Sequence, residues 1–242
     1  MFHTYDFLSP PTSLPRGNIT GLVADMLRQA IVEFKMKPGE PTDKKAICDR
    51  LGVSLFPISE ALTRLGTEGL VDILPRRGSS VSLIRMSEIA EFMLIRTALE
   101  CEVVQRLAQF VTAKTLAALE ASIAEQEIAA EIGNWSRFAA ADIRFHEQLF
   151  AGLNVTRVKS IVEISRANTD RASNLAATRH RLAATIEEHR QILTALSDKN
   201  AAAAARAMRA HTRAVMVELF EVARQNPAYF TPEPHKVIYD EY

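Results

Sequence analysis

Cysteine is scarce in this chain: Cys48 and Cys101 are the only two among 242 residues. Two isolated cysteines build neither a disulfide framework nor a paired-cysteine zinc finger. Both fall within helical, apolar patterning, where they read as small buried hydrophobes. Long apolar runs are also missing, and none reaches the roughly 20 residues that a membrane-spanning helix needs. The first 17 residues lack the apolar stretch of a signal peptide and carry Pro10, Pro11 and Pro15. The expectation is a soluble cytoplasmic protein with no membrane partner. Net charge is absent, with 29 basic residues against 29 acidic ones. That balance does not exclude nucleic acid, because residues 15–85 carry 11 Lys/Arg against 8 Asp/Glu, while residues 86–225 carry 17 of each. Glycine nearly vanishes after Ser87, where Gly133 and Gly152 alone occur.

What is present divides the chain in four. Residues 1–17 read as a flexible arm. From Asn18 the apolar residues Leu22, Met26, Leu27, Ala30 and Ile31 recur at helical spacing, and Lys37-Pro38-Gly39 stops that helix. A short helix is predicted from about Asp43 to Leu51, with Thr42 as its cap. Gly52-Val53 makes a tight turn, and Ser54 caps a third helix that runs to about Gly66. Residues 70–74 and 80–84 read as two strands joined by a hairpin at Pro75-Arg76-Arg77-Gly78. Three helices and a two-stranded wing within residues 18–85 make a winged helix-turn-helix. Residues 86–226 read as helix almost throughout, over 87–110, 112–131, 134–151, 155–177, 179–196 and 199–225. This pattern predicts an antiparallel bundle with an interior able to hold a ligand or metal. Residues 227–242 form a proline-containing tail. The fold class expected is all-α with a small β wing.

The second helix of a helix-turn-helix enters the major groove of double-stranded DNA, where each base pair shows a distinct pattern of donors and acceptors. Here that helix places Ser54, Leu55, Phe56 and Ser59 toward the groove and Val53, Ile58, Ala61, Leu62 and Leu65 toward the core. Lys44 and Lys45 on the preceding helix, and Arg76 and Arg77 at the wing tip, suit phosphate or minor-groove contact.

In the helical half, Asp142 and His146 are four residues apart and share one helix face. His189 sits between Ile186 and Ile192, and His211 between Met208 and Val215, so each points along the apolar side of its helix. The remaining histidines, His3, His180 and His235, fall in the arm, a connection and the tail. Neutral imidazoles converging with a carboxylate suit a divalent transition metal such as zinc, nickel or manganese. Arg96 lies near the apolar edge of the first helix of this half, with Glu100 one turn on as a local partner.

The run Leu27-Arg28-Gln29-Ala30-Ile31, then Lys37-Pro38-Gly39-Glu40, Leu51-Gly52-Val53-Ser54, Pro57-Ile58-Ser59-Glu60-Ala61-Leu62, Glu68-Gly69-Leu70-Val71 and Arg77-Gly78, resembles the GntR family of transcription regulators. The later helices resemble its FadR-like branch, whose all-helical effector module is the FCD domain. The likeness extends over about residues 18–230. It implies a metal-binding subset, in which an Asp-x-x-x-His helix and one histidine on each of two later helices match Asp142, His146, His189 and His211. It also implies an effector-recognition role for Arg96, and effectors that are often small organic acids. The helix bearing Arg166, Asn168, Asp170 and Arg171 is a second candidate lining, with Asn168 the residue to expect there. One departure stands out. Where the family usually places arginines in the recognition helix, this chain has Leu55 and Ser59, neither of which can read guanine as arginine does.

The function expected is a ligand-responsive, DNA-binding transcription regulator, a repressor or an activator, acting as a homodimer on a DNA operator and sensing a small carboxylate. The competing readings are a metal-dependent enzyme and a structural metalloprotein with a degenerate DNA-binding head. No general base or nucleophile motif accompanies the metal residues, since Glu147 points away from His146, so no enzyme activity is expected.

Overall fold

The computed structural model describes residues 5–10, 18–74, 78–164, 166–176 and 178–232, and at 163, 164, 166–168 and 179 it describes the backbone path. These residues divide into two units that are not contiguous in sequence. The first takes the chain up to Arg85 together with Ala167–Asn174 and Asn226–Pro232, and the second takes Met86–Arg166 and Leu175–Gln225.

In the first unit, α1 (Ile19–Val32) begins at Asn18, whose side chain accepts from the Gly21 amide. Its buried stripe, Val23, Ala24, Leu27, Ala30 and Ile31, follows the helical period. The helix α2 (Lys44–Leu51) ends at Gly52, which takes a left-handed φ of 67° that glycine adopts without steric cost. Its cap is Asp43, which accepts from Ala46 N at 3.0 Å. The expected cap, Thr42, lies instead in a two-residue strand, β1 (Pro41–Thr42), and its hydroxyl donates to the Ser79 carbonyl. The third helix, α3 (Leu55–Thr67), packs Ile58, Ala61, Leu62 and Leu65 into the core. Burial of each such leucine or isoleucine contributes roughly 1.5–3 kcal/mol. Ser54 occupies the N-cap position, but its side chain makes no capping bond.

The wing consists of β2 (Val71–Leu74) and β3 (Gly78–Val81), antiparallel and in register at Val71–Val81 and Leu74–Gly78. β1 pairs with the other edge of β3, so the sheet has three strands in the order β1-β3-β2. The second strand of the wing therefore ends earlier than residues 80–84 suggest. Ile84 leaves the hairpin and forms a parallel bridge to Phe230, donating to Tyr229 O and accepting from Thr231 N.

Parts of the expected flexible arm and of the tail pack against the first unit. Tyr5 and Leu8 are buried in the core of the first unit. Tyr5 Oη accepts from Asp43 N at 2.8 Å, and Arg50 donates to the carbonyls of Leu8 and Asp6. Residues 227–229 form a short 3-10 turn, and Phe230 beside it is buried.

The described residues of the second unit form helices and the short connections between them. The unit contains α4 (Met86–Phe110), α5 (Ala113–Glu131), α6 (Trp135–Gly152), α7 (Thr156–Ile164), α9 (Arg179–Ser197) and α10 (Ala201–Gln225). Thr112, Asn134 and Thr178 cap α5, α6 and α9 through side-chain oxygens. The helix α10 lies along α4, α5 along α6, and α9 against both α10 and α5. At Gly152 a Cβ would stand 2.8 Å from Leu107 Cδ1, so α6 ends in close approach to α4. The single helix expected over 155–177 is instead two, α7 and α8 (Arg166–Ala176). Most of α8 belongs to the first unit, where the fully buried Arg171 donates through Nη2 to the Ser82 carbonyl at 2.7 Å.

Candidate functional site

In the first unit the relevant surface is the N-terminal part of α3. Ser54, Leu55, Phe56, Glu60 and Thr63 are exposed and Ser59 is half-buried, while the opposite face fills the core. Leu55 is 57% exposed and Phe56 72%. On α2, Lys45 is exposed and Lys44 half-buried. The helix's own cation, Arg64, pairs with Glu68, which also takes a two-pronged bond from Arg28. Arg76 and Arg77 lie outside the described residues.

In the second unit, α6, α9 and α10 bring His146, His189 and His211 together. Their ligand atoms lie within 4.8 Å of one another, and all three side chains are buried. Each ring is held by a neighbour. His189 Nδ1 donates to Gln126 Oε1 of α5 at 3.0 Å, which leaves Nε2 buried and without a partner. His211 Nδ1 donates to Glu188 Oε2 at 2.8 Å, and again Nε2 has none. Two orphaned imidazole nitrogens turned toward one point are what a metal ion requires, with the outer nitrogens oriented by an amide and a carboxylate. Phe145 stacks on the His189 ring at a centroid distance of 4.0 Å. Asp142 is half-buried, its Oδ1 3.7 Å from His189 Nε2.

Arg96 reaches the same cluster from α4. Its Nη2 donates to His146 Nε2 at 2.7 Å, and its Nε donates to Glu100 Oε1 at 2.9 Å. His146 Nδ1 lies 3.1 Å from Glu100 Oε2, outside hydrogen-bond geometry, and is the nitrogen of that ring without a bond. The pairing of Arg96 with Glu100, read from the sequence as a local helical pair near the apolar edge, is buried and joined to the histidines. Electrostatics follow burial. Loss of water lowers the His189 pKa well below its ordinary value, helped by the neighbouring His211 and His146, and burial also lowers that of His146. The His146 and His189 rings are thus held neutral, the form that binds a metal. Burial alone would raise the Glu100 pKa, but Arg96 and His146 hold it well below the carboxylate range.

The placement of the remaining predicted residues differs. Arg171 is committed to Ser82 in the first unit, and the side chains of Arg166 and Asn168 lie outside the described residues. Glu147 turns to Lys159 at 3.0 Å, away from the cluster. Sequence reasoning did not single out Gln126 or Glu188. Glu188 adjoins His189 in sequence, a weak signal, and Gln126 gives none.

Residues 20–81 match the model for bacterial regulatory proteins of the gntR family, and residues 91–214, half of the chain, match the FCD domain. The HTH-type transcriptional repressor RspR of Escherichia coli (strain K12) is 29% identical over 209 residues, covering 86% of this chain and 92% of that protein. An uncharacterized HTH-type regulator from the TAR-I ttuE-ttuC' intergenic region of Agrobacterium vitis is 35% identical over 128 residues, 52% of this chain and 75% of that protein. Among solved structures, E. coli McbR/YncC shares the fold at a TM-score of 0.70 and 21% identity, over 84% of this chain and 98% of that one. The chain belongs to the gntR family of bacterial regulatory proteins: it is a DNA-binding transcription regulator with an FCD domain.

Proposed function

We propose that this regulator is a cytoplasmic repressor that senses a small carboxylate at a divalent metal held by His146, His189 and His211, with Asp142 as the acidic ligand. The observation that carries the reading is the convergence of three buried histidines, two with unbonded Nε2 atoms. A divalent transition metal, whether zinc, nickel or manganese, would supply a cationic centre that accepts oxygen donors. This chain's own residues then do the selecting. Arg96, whose guanidinium already lies at His146, presents N–H donors to an anion bound beside the histidines. Glu100 fixes that guanidinium from its other edge.

The helix carrying Arg96 begins at Met86, one residue after the first unit ends. A ligand that tilts α4 has no linker to absorb the motion. In a homodimer, two heads reading half-sites about one helical turn apart would lose operator affinity once their spacing changed, and a bias of a few kcal/mol is enough. On DNA, Ser54, Leu55, Phe56 and Ser59 face the major groove, Lys44 and Lys45 meet phosphates, and Arg76 and Arg77 supply wing contacts.

The test is operator affinity, measured by fluorescence anisotropy on the DNA upstream of the chain's own gene, with a panel of organic acids. Wild type, Arg96→Lys and metal-stripped protein are compared. An acid that weakens operator binding by wild type and has little effect on the other two supports the reading. An acid that acts equally on all three contradicts a carboxylate held between metal and Arg96.

A further inference from the structure

The exposed face of α3 is chemically unusual for a surface that meets a polyanion. Leu55, Ser59 and Thr63 lie on one line of the helix and Phe56 and Glu60 on the adjacent line, each residue four after the last. Leu55 and Phe56 are among the large apolar side chains most open to solvent in the described residues. Among the described residues of the first unit none covers them, although its core lies directly behind, at Pro57 and Ile58. The Thr63 hydroxyl donates to the Ser59 carbonyl at 3.0 Å, so what it presents outward is its methyl group. The one charged group between them is a carboxylate, Glu60. Arg64 in the last turn is held by Glu68.

A guanine edge in the major groove offers two acceptors, N7 and O6, and needs donors opposite. This face offers a carboxylate, three apolar groups and the small hydroxyls of Ser54 and Ser59, none of which spans N7 and O6 with two donors as arginine does. A thymine edge offers a 5-methyl group, which pairs with apolar side chains. The cations that would hold the helix in the groove are on the neighbouring helix, where Lys44 and Lys45 open α2 and are suited to phosphate. Affinity and base choice are then divided between two helices.

We propose that Leu55 and Phe56 specify the operator by contact with thymine 5-methyl groups, so that each half-site is read through methyls and not through guanine hydrogen bonds. This rests on the DNA-binding role of the first unit and is separable from the metal and effector reading. Glu60 adds a preference for an amino group, on cytosine or adenine, at the next step.

The test is a selection from random duplex DNA with the full chain, followed by replacement of each thymine in the enriched half-site with deoxyuridine, which removes the methyl alone. The result expected is a motif with adjacent thymines, whose replacement weakens binding roughly fourfold per methyl. In Phe56→Ala and Leu55→Ala the thymine and uracil duplexes should bind alike. Both side chains are exposed, so both variants should keep the melting temperature of wild type. An enriched motif whose affinity ignores the uracil replacement overturns the proposal while leaving DNA recognition intact. A pool that enriches no sequence overturns both. Loss of self-association in Phe56→Ala, with no thymine effect, overturns it in favour of a contact between two copies of the chain.

Discussion

Gln126 Oε1 lies 3.0 Å from His189 Nδ1 across 63 residues of sequence, and this bond decides which nitrogen of His189 faces His146 and His211. With the Nδ1 proton given to the amide, Nε2 keeps its lone pair for a metal. Gln126→Leu removes the acceptor and leaves a side chain of similar volume. Metal affinity should fall by about 10- to 100-fold, the usual effect of losing such an outer partner, with helical content unchanged. Competition with a fluorescent chelator measures it, and an unchanged affinity would remove Gln126 from the site.

Arg96 and Glu100 are a buried ion pair, with Glu100 only 1% exposed. Removing one partner of such a pair leaves an uncompensated charge and costs about 3–5 kcal/mol. Arg96→Ala should therefore destabilise the chain by about that amount in urea denaturation. The double variant Arg96→Ala, Glu100→Gln should recover a large part of it, because the orphaned charge is gone. Equal losses in the single and double variants would show that packing, not charge, holds Arg96.

A separate pH dependence belongs to the first unit. Arg28 donates to both Glu68 carboxylate oxygens, and this bond, with Arg64 adding to it, holds the Glu68 pKa below its ordinary value against the opposing effect of burial. A carboxylate depressed on folding contributes stability that is present above its unfolded pKa, about 4.3, and is lost as pH falls through the lower folded value. Both side chains are roughly a quarter exposed, so the contribution is reduced by solvent, to about 1 kcal/mol. Glu68→Gln should lower the melting temperature at pH 7, and the difference from wild type should shrink below about pH 4. A difference that stays constant with pH would assign the effect to packing.

The helix-turn-helix was legible because local rules and burial agree there. Gly52 supplies the left-handed turn, and the spacing of Ile58, Ala61, Leu62 and Leu65 fixes which side of α3 is inward. The three histidines were legible because each is a polar residue placed between apolar neighbours at helical spacing. What stayed hidden was set by tertiary contact. β1 has two residues and no period to read, and it exists because β3 pairs with it. Tyr5 and Leu8 precede prolines that suggest a flexible arm, yet the bond from Asp43 to Tyr5, the bonds from Arg50 to the Leu8 and Asp6 carbonyls and packing against the core bury them. Gln126 looks like any glutamine on an alanine-rich helix until α9 is laid beside α5.

The central claim is that the histidine cluster holds a metal, and metal content per chain tests it most directly. Purified wild-type protein, loaded with zinc, nickel or manganese and then desalted, should retain a single divalent ion per chain by elemental analysis. His189→Ala combined with His211→Ala should retain almost none and should lose the rise in melting temperature that the metal gives wild type. Equal metal content in the two proteins, or none in wild type with any of the three ions, would contradict it.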